Sequence, residues 1–226
     1  MTIAYNCDHC NAKFTKEKTL FVHMCEQKRR HLAKNEKHVQ LAYQTYDKFY
    51  KLAQKNDKTK TYEEFAQSPY YNAFVKFGSF LSNVNPLYPE KYIDYVVTSG
   101  VKLDHWCRES LYEEYVLNLI KNEPVEVALQ RSIMHMNDWA STHDSVWNHY
   151  FLYVSTNRAT FDIKDGKISP WILLNSDTGK KLLATFNDEQ LVSIGTTIDP
   201  EFWFKKFKSL PDDVDFARQI AKESNL

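Results

Sequence analysis

A mainly α-helical fold is what this sequence predicts, and three observations lead there. Only five glycines and seven prolines punctuate 226 residues, too few for the turns of an all-β protein. Apolar residues recur at helical spacing through most of the chain. A single stretch, ATFDIKDGKISPW, reads as β structure. Hydrophobic residues at 43% and aromatics at 15% suit a packed globule, and the length allows one substantial core plus a small appendage.

The first element is a short knuckle over residues 4–15, with Cys7 and Cys10 held on a turn. A helix is expected from Thr15–Lys16 onward. Leu32, Val39, Tyr46 and Ala53 repeat every seven residues, with Ala42 and Phe49 between them, which makes one apolar stripe on a helix of about 35 residues. The polar stretch KNDKTKTY ends it and reads as a hinge. Beyond it, Tyr71, Phe74, Phe77 and Leu81 lie at helical spacing. PEKYIDYVVTSG opens on Pro and closes on Gly, as a short helix should. LDHWCRESLYEEYVLNLIKN, EPVEVALQRSIMHMNDWAST and HDSVWNHYFLYVS each read as a helix. In ATFDIKDGKISPW, Phe161 and Ile163 precede an Asp165-Gly166 turn and Ile168 follows it, the pattern of a hairpin. NDEQLVSIG, DPEFWFKKFKSL and PDDVDFARQIAKES give three short helices opened by Asp or Pro.

The formal net charge is zero, but residues 1–60 carry thirteen Lys/Arg against six Asp/Glu, leaving the remainder acidic. A basic head on an acidic body suits an anionic partner for the head; a solvated helix surface explains the same numbers. No run of about 18 apolar residues is present to span a bilayer, and MTIAYNCDHC has neither the basic start nor the apolar core of a signal peptide. The expected location is therefore intracellular, cytoplasmic or, in a eukaryote, nuclear. Three of the four cysteines fall within the first 25 residues, a grouping that favours thiolate ligation over disulfides in a reducing compartment.

Those cysteines begin a recognisable pattern. Cys7 and Cys10 form a C-x2-C pair, followed by Phe14, Leu20 and His23 in register. Over about residues 5–31 the chain resembles a C2H2-type zinc finger, a resemblance that implies a ββα-like module packing Phe14 and Leu20 around one structural Zn2+. Thiolates and an imidazole at this spacing suit a closed tetrahedral site. So few apolar side chains could not offset chain entropy without a metal, which contributes on the order of 10 kcal/mol in such peptides.

The fourth ligand departs from the family pattern, because Gln27, Lys28 and Arg29 occupy the places where a second histidine is expected. His31 preserves two-Cys, two-His chemistry but lies eight residues past His23, about 12 Å of rise and roughly 80° of rotation along an unbroken helix. Cys25 is two residues past His23, where a helix turns it ~200° away. Either ligand requires the helix to loosen after Val22. The reading is Cys7, Cys10, His23 and His31, with Cys25 as the alternative fourth ligand and a site completed by water or by the body as a third possibility.

The resemblance also implies where a finger would touch nucleic acid. Counted back from His23, the base-contacting places hold Lys16, Thr19 and Val22, of which Val22 offers only apolar contact. One finger reads about three base pairs, too few for specificity. The flank QKRRHLAKNEK adds Lys28, Arg29, Arg30, Lys34 and Lys37, which on a helix could follow a phosphate backbone or form a solvated basic face.

Elsewhere the signals are weaker. His135, Asp138, His143, Asp144 and His149 crowd one stretch without a recognised catalytic spacing. Cys107 reads as a buried inert thiol rather than a nucleophile, and the aromatic-basic stretches FWFKKFK and YDKFYK read as core with snorkelling lysines. In texture, with few Gly and many Lys, Tyr and Phe, the chain resembles accessory proteins of large tailed phages, a likeness carried by no body motif.

The expected architecture is mainly α: an N-terminal single zinc finger (1–31), a long amphipathic helix or connector (32–58), and an α-helical body (59–226) with a β-hairpin near 159–170. The expected function is that of a non-enzymatic, zinc-binding accessory protein docking on DNA, RNA or a nucleoprotein complex. A protein–protein adaptor with a structural zinc finger is the first alternative. A metal-dependent nuclease using the His/Asp cluster is the second.

Overall fold

The computed structural model describes residues 5–54 and 57–226. It is mainly helical, with one two-stranded antiparallel hairpin at the N-terminus. Two compact units divide the chain, Met1–Leu111 and Tyr112–Leu226. No helix among the described residues is long and apolar enough to cross a membrane.

The first unit opens with β1 (Tyr5–Asn6) and β2 (Lys13–Phe14), paired Tyr5 to Phe14 and Asn6 to Lys13. Asn11, at φ 58°, turns the chain between them. Helices α1 (Glu17–Val22) and α2 (Glu26–Leu32) follow, then a 3-10 turn at Ala33–Asn35 and α3 (Lys37–Gln54). The expected continuous helix of about 35 residues is therefore three helices. Extended backbone at His23 and Cys25 makes the first break, and Glu36 (ψ 136°) makes the second.

The apolar stripe holds where α3 exists. Val39, Ala42 and Tyr46 are buried, whereas Leu32 and Ala53 at its ends are exposed. Of the expected hinge, Lys55 and Asn56 lie outside the described residues. Lys60 is tied to α3 from both sides: its N–H donates to Asp47 Oδ1 at 2.6 Å and its carbonyl accepts from the Tyr43 hydroxyl.

Next come α4 (Tyr62–Gln67), closed by a Thr61/Glu64 capping box, α5 (Tyr71–Val84) and α6 (Pro89–Thr98). Helices α3 and α5 form the most extensive contact of this unit. Gly78 allows their approach: a Cβ there would lie 2.0 Å from the His38 carbonyl oxygen and 2.9 Å from the Ala42 nitrogen. Around the crossing, Phe74 and Phe77 meet Trp106 edge-on at 6.0 and 5.3 Å, and the Trp106 indole N–H donates to the Val101 carbonyl at 2.8 Å.

Helix α7 (Glu109–Asn122) leads into the second unit. Its central helix is α8 (Val125–Thr142), with Ala128, Leu129, Met136 and Trp139 buried. Short helices α9 (Tyr150–Tyr153), α10 (Thr156–Lys164), α11 (Pro170–Leu173), α12 (Asp177–Leu183) and α13 (Asp188–Ile194) surround it, followed by α14 (Pro200–Ser209) and α15 (Pro211–Glu223). The Asp199 side chain opens α14 as expected, whereas α13 is opened by an Asn187 capping box, with Asp188 in its first turn. Trp203 and Phe207 of FWFKKFK pack on Trp171, while Phe204 stays exposed.

The hairpin expected near 159–170 is a helix instead. Ser155 caps α10 by accepting the Arg158 N–H, and Ala159 and Ile163, four residues apart, share its buried face. Phe161 and Ile163 would need the same side in a strand; the helix separates them by ~200°, and Phe161 is 51% exposed. Asp165-Gly166 ends this helix, Gly166 taking φ 73° and donating its N–H to Ile163. Arg131, in a buried ion pair with Glu123, holds the Gly166 carbonyl through Nε at 2.7 Å.

Gly78→Ala is expected to force α3 and α5 apart, because the obstructing atoms are backbone. Thermal or denaturant unfolding should show a loss of about 1–3 kcal/mol or more, the range of core overpacking.

Candidate metal centre

The site begins at the hairpin turn. Cys7 is buried and its N–H donates to the Ala12 carbonyl at 2.9 Å, while Asn11 N–H donates back to the Cys7 carbonyl, so the loop bearing Cys7 and Cys10 is closed on itself. Helix α1 then delivers His23 from its C-terminal side, and the imidazole lies against the Phe14 ring at 4.8 Å. Past His23 the backbone stays extended, which carries Cys25 to the N-cap of α2.

These residues converge. One donor atom each from Cys7, Cys10, His23 and Cys25 lies within 4.8 Å of the others. Cys7 Sγ is 4.0 Å from Cys25 Sγ, and Cys10 Sγ is 3.3 Å from His23 Nε2. A tetrahedral ion with Zn–S of ~2.3 Å and Zn–N of ~2.0 Å sets sulfur–sulfur edges of about 3.8 Å and sulfur–nitrogen edges of about 3.5 Å. The Cys7–Cys25 and Cys10–His23 separations lie close to those edges, the donor type and number suit a tetrahedral site, and the cluster could hold a metal ion.

Cys25, and not His31, is the fourth member of the cluster. The 23–25 break removes the ~200° helical rotation that would turn Cys25 away. His31 sits on α2 beyond the break, near His9 with ring centroids 5.0 Å apart.

Backbone amides prepare the thiols. The His9 N–H, helped by that of Cys10, holds Cys7 below the ordinary thiol range against the effect of burial. The Lys28 N–H donates to Cys25 Sγ at 3.4 Å. For Cys10 the Ala12 N–H pulls downward, but burial and the neighbouring Cys25 and Cys7 sulfurs push the thiol above its usual range. Three sulfurs this close cannot all ionise without a cation between them, so metal entry must displace protons.

The flanking basic residues divide into two groups. Arg30 turns inward: it donates to the Ala66 carbonyl at 2.6 Å, pairs with Glu26, and lies over the Tyr71 ring at 4.4 Å. Its carbonyl accepts from the Tyr62 hydroxyl. Lys28 donates to the His23 carbonyl at 3.3 Å, and Lys34 reaches Glu63 at 3.9 Å over the Tyr62 ring. Arg30 is thus a bolt between α2 and α4 rather than a phosphate contact; a guanidinium over a ring beside a free carbonyl is a better-matched partner than water. Lys16, Thr19, Arg29 and Lys37 remain exposed.

The His/Asp cluster of the second unit does not converge. Among the described residues the Cys3His group is the only set of three or more donors placed to share a metal. His143 stacks on Trp139, His149 meets Tyr153 edge-on, and Asp138 and Asp144 are exposed. His135 instead approaches Asp162, with Nε2 2.8 Å from Oδ2. Asp162 has no exposed side-chain surface and also receives the Tyr150 hydroxyl at 2.8 Å and Arg158 Nε at 2.9 Å. Burial alone would raise this carboxyl, but the His135, Tyr150 and Arg158 interactions outweigh it and hold it below the usual range. The i,i+4 spacing of Arg158 and Asp162 was a signal for this pair; nothing in sequence linked it to His135. Cys107 is half-buried, and burial raises its thiol above the ordinary range despite Lys76, as an unreactive cysteine requires.

Comparison with family models, with curated proteins and with solved structures yields no match for this chain.

Metal analysis of the purified chain is expected to find one ion per chain at this site. Cys25→Ser should lower zinc affinity by more than about a hundredfold, beyond what losing an outer-shell partner costs, whereas His31→Ala should leave it unchanged. Competition with a chromophoric chelator distinguishes the two, and the reverse ranking would restore His31 as ligand. In the second unit, Asp162→Ala strands His135, Arg158 and Tyr150 and should cost about 3–5 kcal/mol. Because the folded carboxyl titrates below its unfolded value, its stabilisation is present above about pH 4 and is lost as pH falls through the folded value. Denaturant melts from pH 6 downward should lose this increment in the wild type and show none in Asp162→Asn.

Proposed function

We propose that the Cys3His centre is a structural zinc site and that the head it organises docks on nucleic acid, through contacts to phosphates and exposed base faces. Zinc is favoured by three sulfurs and one nitrogen within 4.8 Å of one another, with no fifth donor in the set. The resemblance to a C2H2 finger lies in the hairpin-then-helix frame and in Phe14 against His23, with the fourth ligand moved to the next helix. A reducing, intracellular setting keeps such thiols available as ligands.

The observation that supports nucleic-acid docking is Phe21, 83% exposed on α1, one helical turn from Lys18 and on the same short helix as Thr19, with Lys16 at its cap. An aromatic face among cations is the arrangement that stacks an unpaired base while neighbouring charges hold the backbone. Helix α1 has six residues, about 9 Å, too short to lie along a major groove, so a single strand suits it better than a duplex. The second reading is a protein–protein adaptor. Val22 and Met24, 67% and 49% exposed beside Phe21, favour it, since consecutive apolar side chains suit a protein pocket more than a phosphate backbone.

Fluorescence anisotropy with a single-stranded oligonucleotide separates these readings. The expected result is affinity that falls with a log–log salt slope of about −2, from Lys16, Lys18 and Arg29 at ~0.7 each. Phe21→Ala should weaken binding roughly tenfold, the loss of one stacked base, with zinc retained. No binding at low salt, or binding indifferent to Phe21→Ala and to the Lys16/Lys18/Arg29→Ala triple, would transfer the proposal to the adaptor.

A further inference from the structure

The second unit contains a cleft of about 650 Å³ walled by α8 and by the α9–α10 connection, within the size range of small-molecule sites. We propose that it binds a phosphate monoester, with the phosphate held by Arg158, Lys167 and His135.

The arrangement of donors carries the inference. Asp162, wholly buried beneath the cleft, is approached by His135 at 2.8 Å, Arg158 at 2.9 Å and Lys167 at 3.8 Å. Asp162 balances Arg158, and Asp165 at 3.6 Å faces Lys167. His135, Arg158 and Lys167 all line the cleft while Asp162 does not, so they present N–H donors to an anion at its surface. Arg158 engages Asp162 through Nε. That contact orients the guanidinium and leaves its two terminal nitrogens, the edge that matches two oxygens of a phosphate. Its side chain is 52% exposed, against none for its partner.

Burial raises the Asp165 carboxyl. Asp138 lines the cleft and is exposed. Phosphate is favoured over carboxylate because it accepts from several directions at once, and the donors come from α8, α10 and the turn after α10. The rest of the ligand has an aromatic surface to meet: Tyr153, 68% exposed, lines the cleft with Trp139 and with His143, which stacks on Trp139 at 4.7 Å. A ring-bearing ester such as a nucleoside monophosphate fits such walls.

The test is titration calorimetry of the zinc-loaded full chain with inorganic phosphate, adenosine 5′-monophosphate and acetate. The expected result is saturable binding of the two phosphates, tighter for the nucleotide, and none of acetate. Arg158→Gln should weaken phosphate binding at least tenfold, and Lys180→Gln, an exposed site elsewhere in this unit, should not change it. Should Arg158→Gln unfold the unit by removing an Asp162 partner, Lys167→Gln carries the same test, with a several-fold loss expected. Absence of phosphate binding at millimolar concentration, equal binding of acetate, or indifference to both variants would overturn the proposal. A single-stranded oligonucleotide whose binding persists in the Lys16/Lys18/Arg29→Ala triple but vanishes with Arg158→Gln would identify the phosphate source as a polynucleotide end. Failure of the head proposal leaves these outcomes untouched, because the variants lie in different units.

Discussion

Between Val22 and Glu26 the chain must leave helical geometry, and Cys25 is where that constraint becomes useful. The residue caps α2, with its sulfur accepting the Lys28 N–H, and the same sulfur stands 4.0 Å from Cys7. A metal held there ties the hairpin turn, the end of α1 and the start of α2 to one point. Without a cation, the three sulfurs and one imidazole repel or protonate, and only Phe14, Leu20 and a two-residue ladder remain to order the head. The half-buried state of Phe14 and Leu20 shows how little apolar burial the head has of its own.

The order so created does not stop at the head. Helix α2 continues from Cys25 to Arg30, whose guanidinium reaches the Ala66 carbonyl and the Tyr71 ring. Through that side chain the Cys3His cluster is joined to α4 and α5, and through α5 to the crossing at Gly78 with α3. The basic run that follows the finger-like motif thereby serves two purposes: Lys28, Arg30 and Lys34 hold structure, while Arg29 and Lys37 face solvent. Charge counted along a sequence cannot separate these roles, because an arginine on an aromatic face and one in water contribute equally to the sum.

In the second unit the organising group is Asp162. A carboxylate without solvent requires compensation, and it receives it from three different segments, at His135, at Tyr150 and at Arg158. His135 is thereby engaged by Asp162, and among the described residues it makes no metal-sharing set with Asp138, His143 and His149. Asp162 itself lies thirteen positions beyond that stretch, in a segment whose alternating apolar pattern suggested strands.

Much of this protein was legible in its residues. Scarce Gly and Pro, 3.6-residue periodicity and Asp, Asn and Pro caps are local properties of adjacent residues, and the helices at 89–98, 125–142, 188–194 and 200–209 follow from them. So do Cys7, Cys10 and His23, whose spacing places them on one turn and one helix end. What the tertiary structure decided was the choice between Cys25 and His31, the inward turn of Arg30, and the helix at 156–164 in place of a hairpin. Each depends on a partner distant in sequence or on a single backbone break: extended dihedrals at residues 23–25, a carbonyl at 66, a buried face against α8. Local chemistry sets which conformations a segment can adopt, and only packing against the rest of the chain selects one.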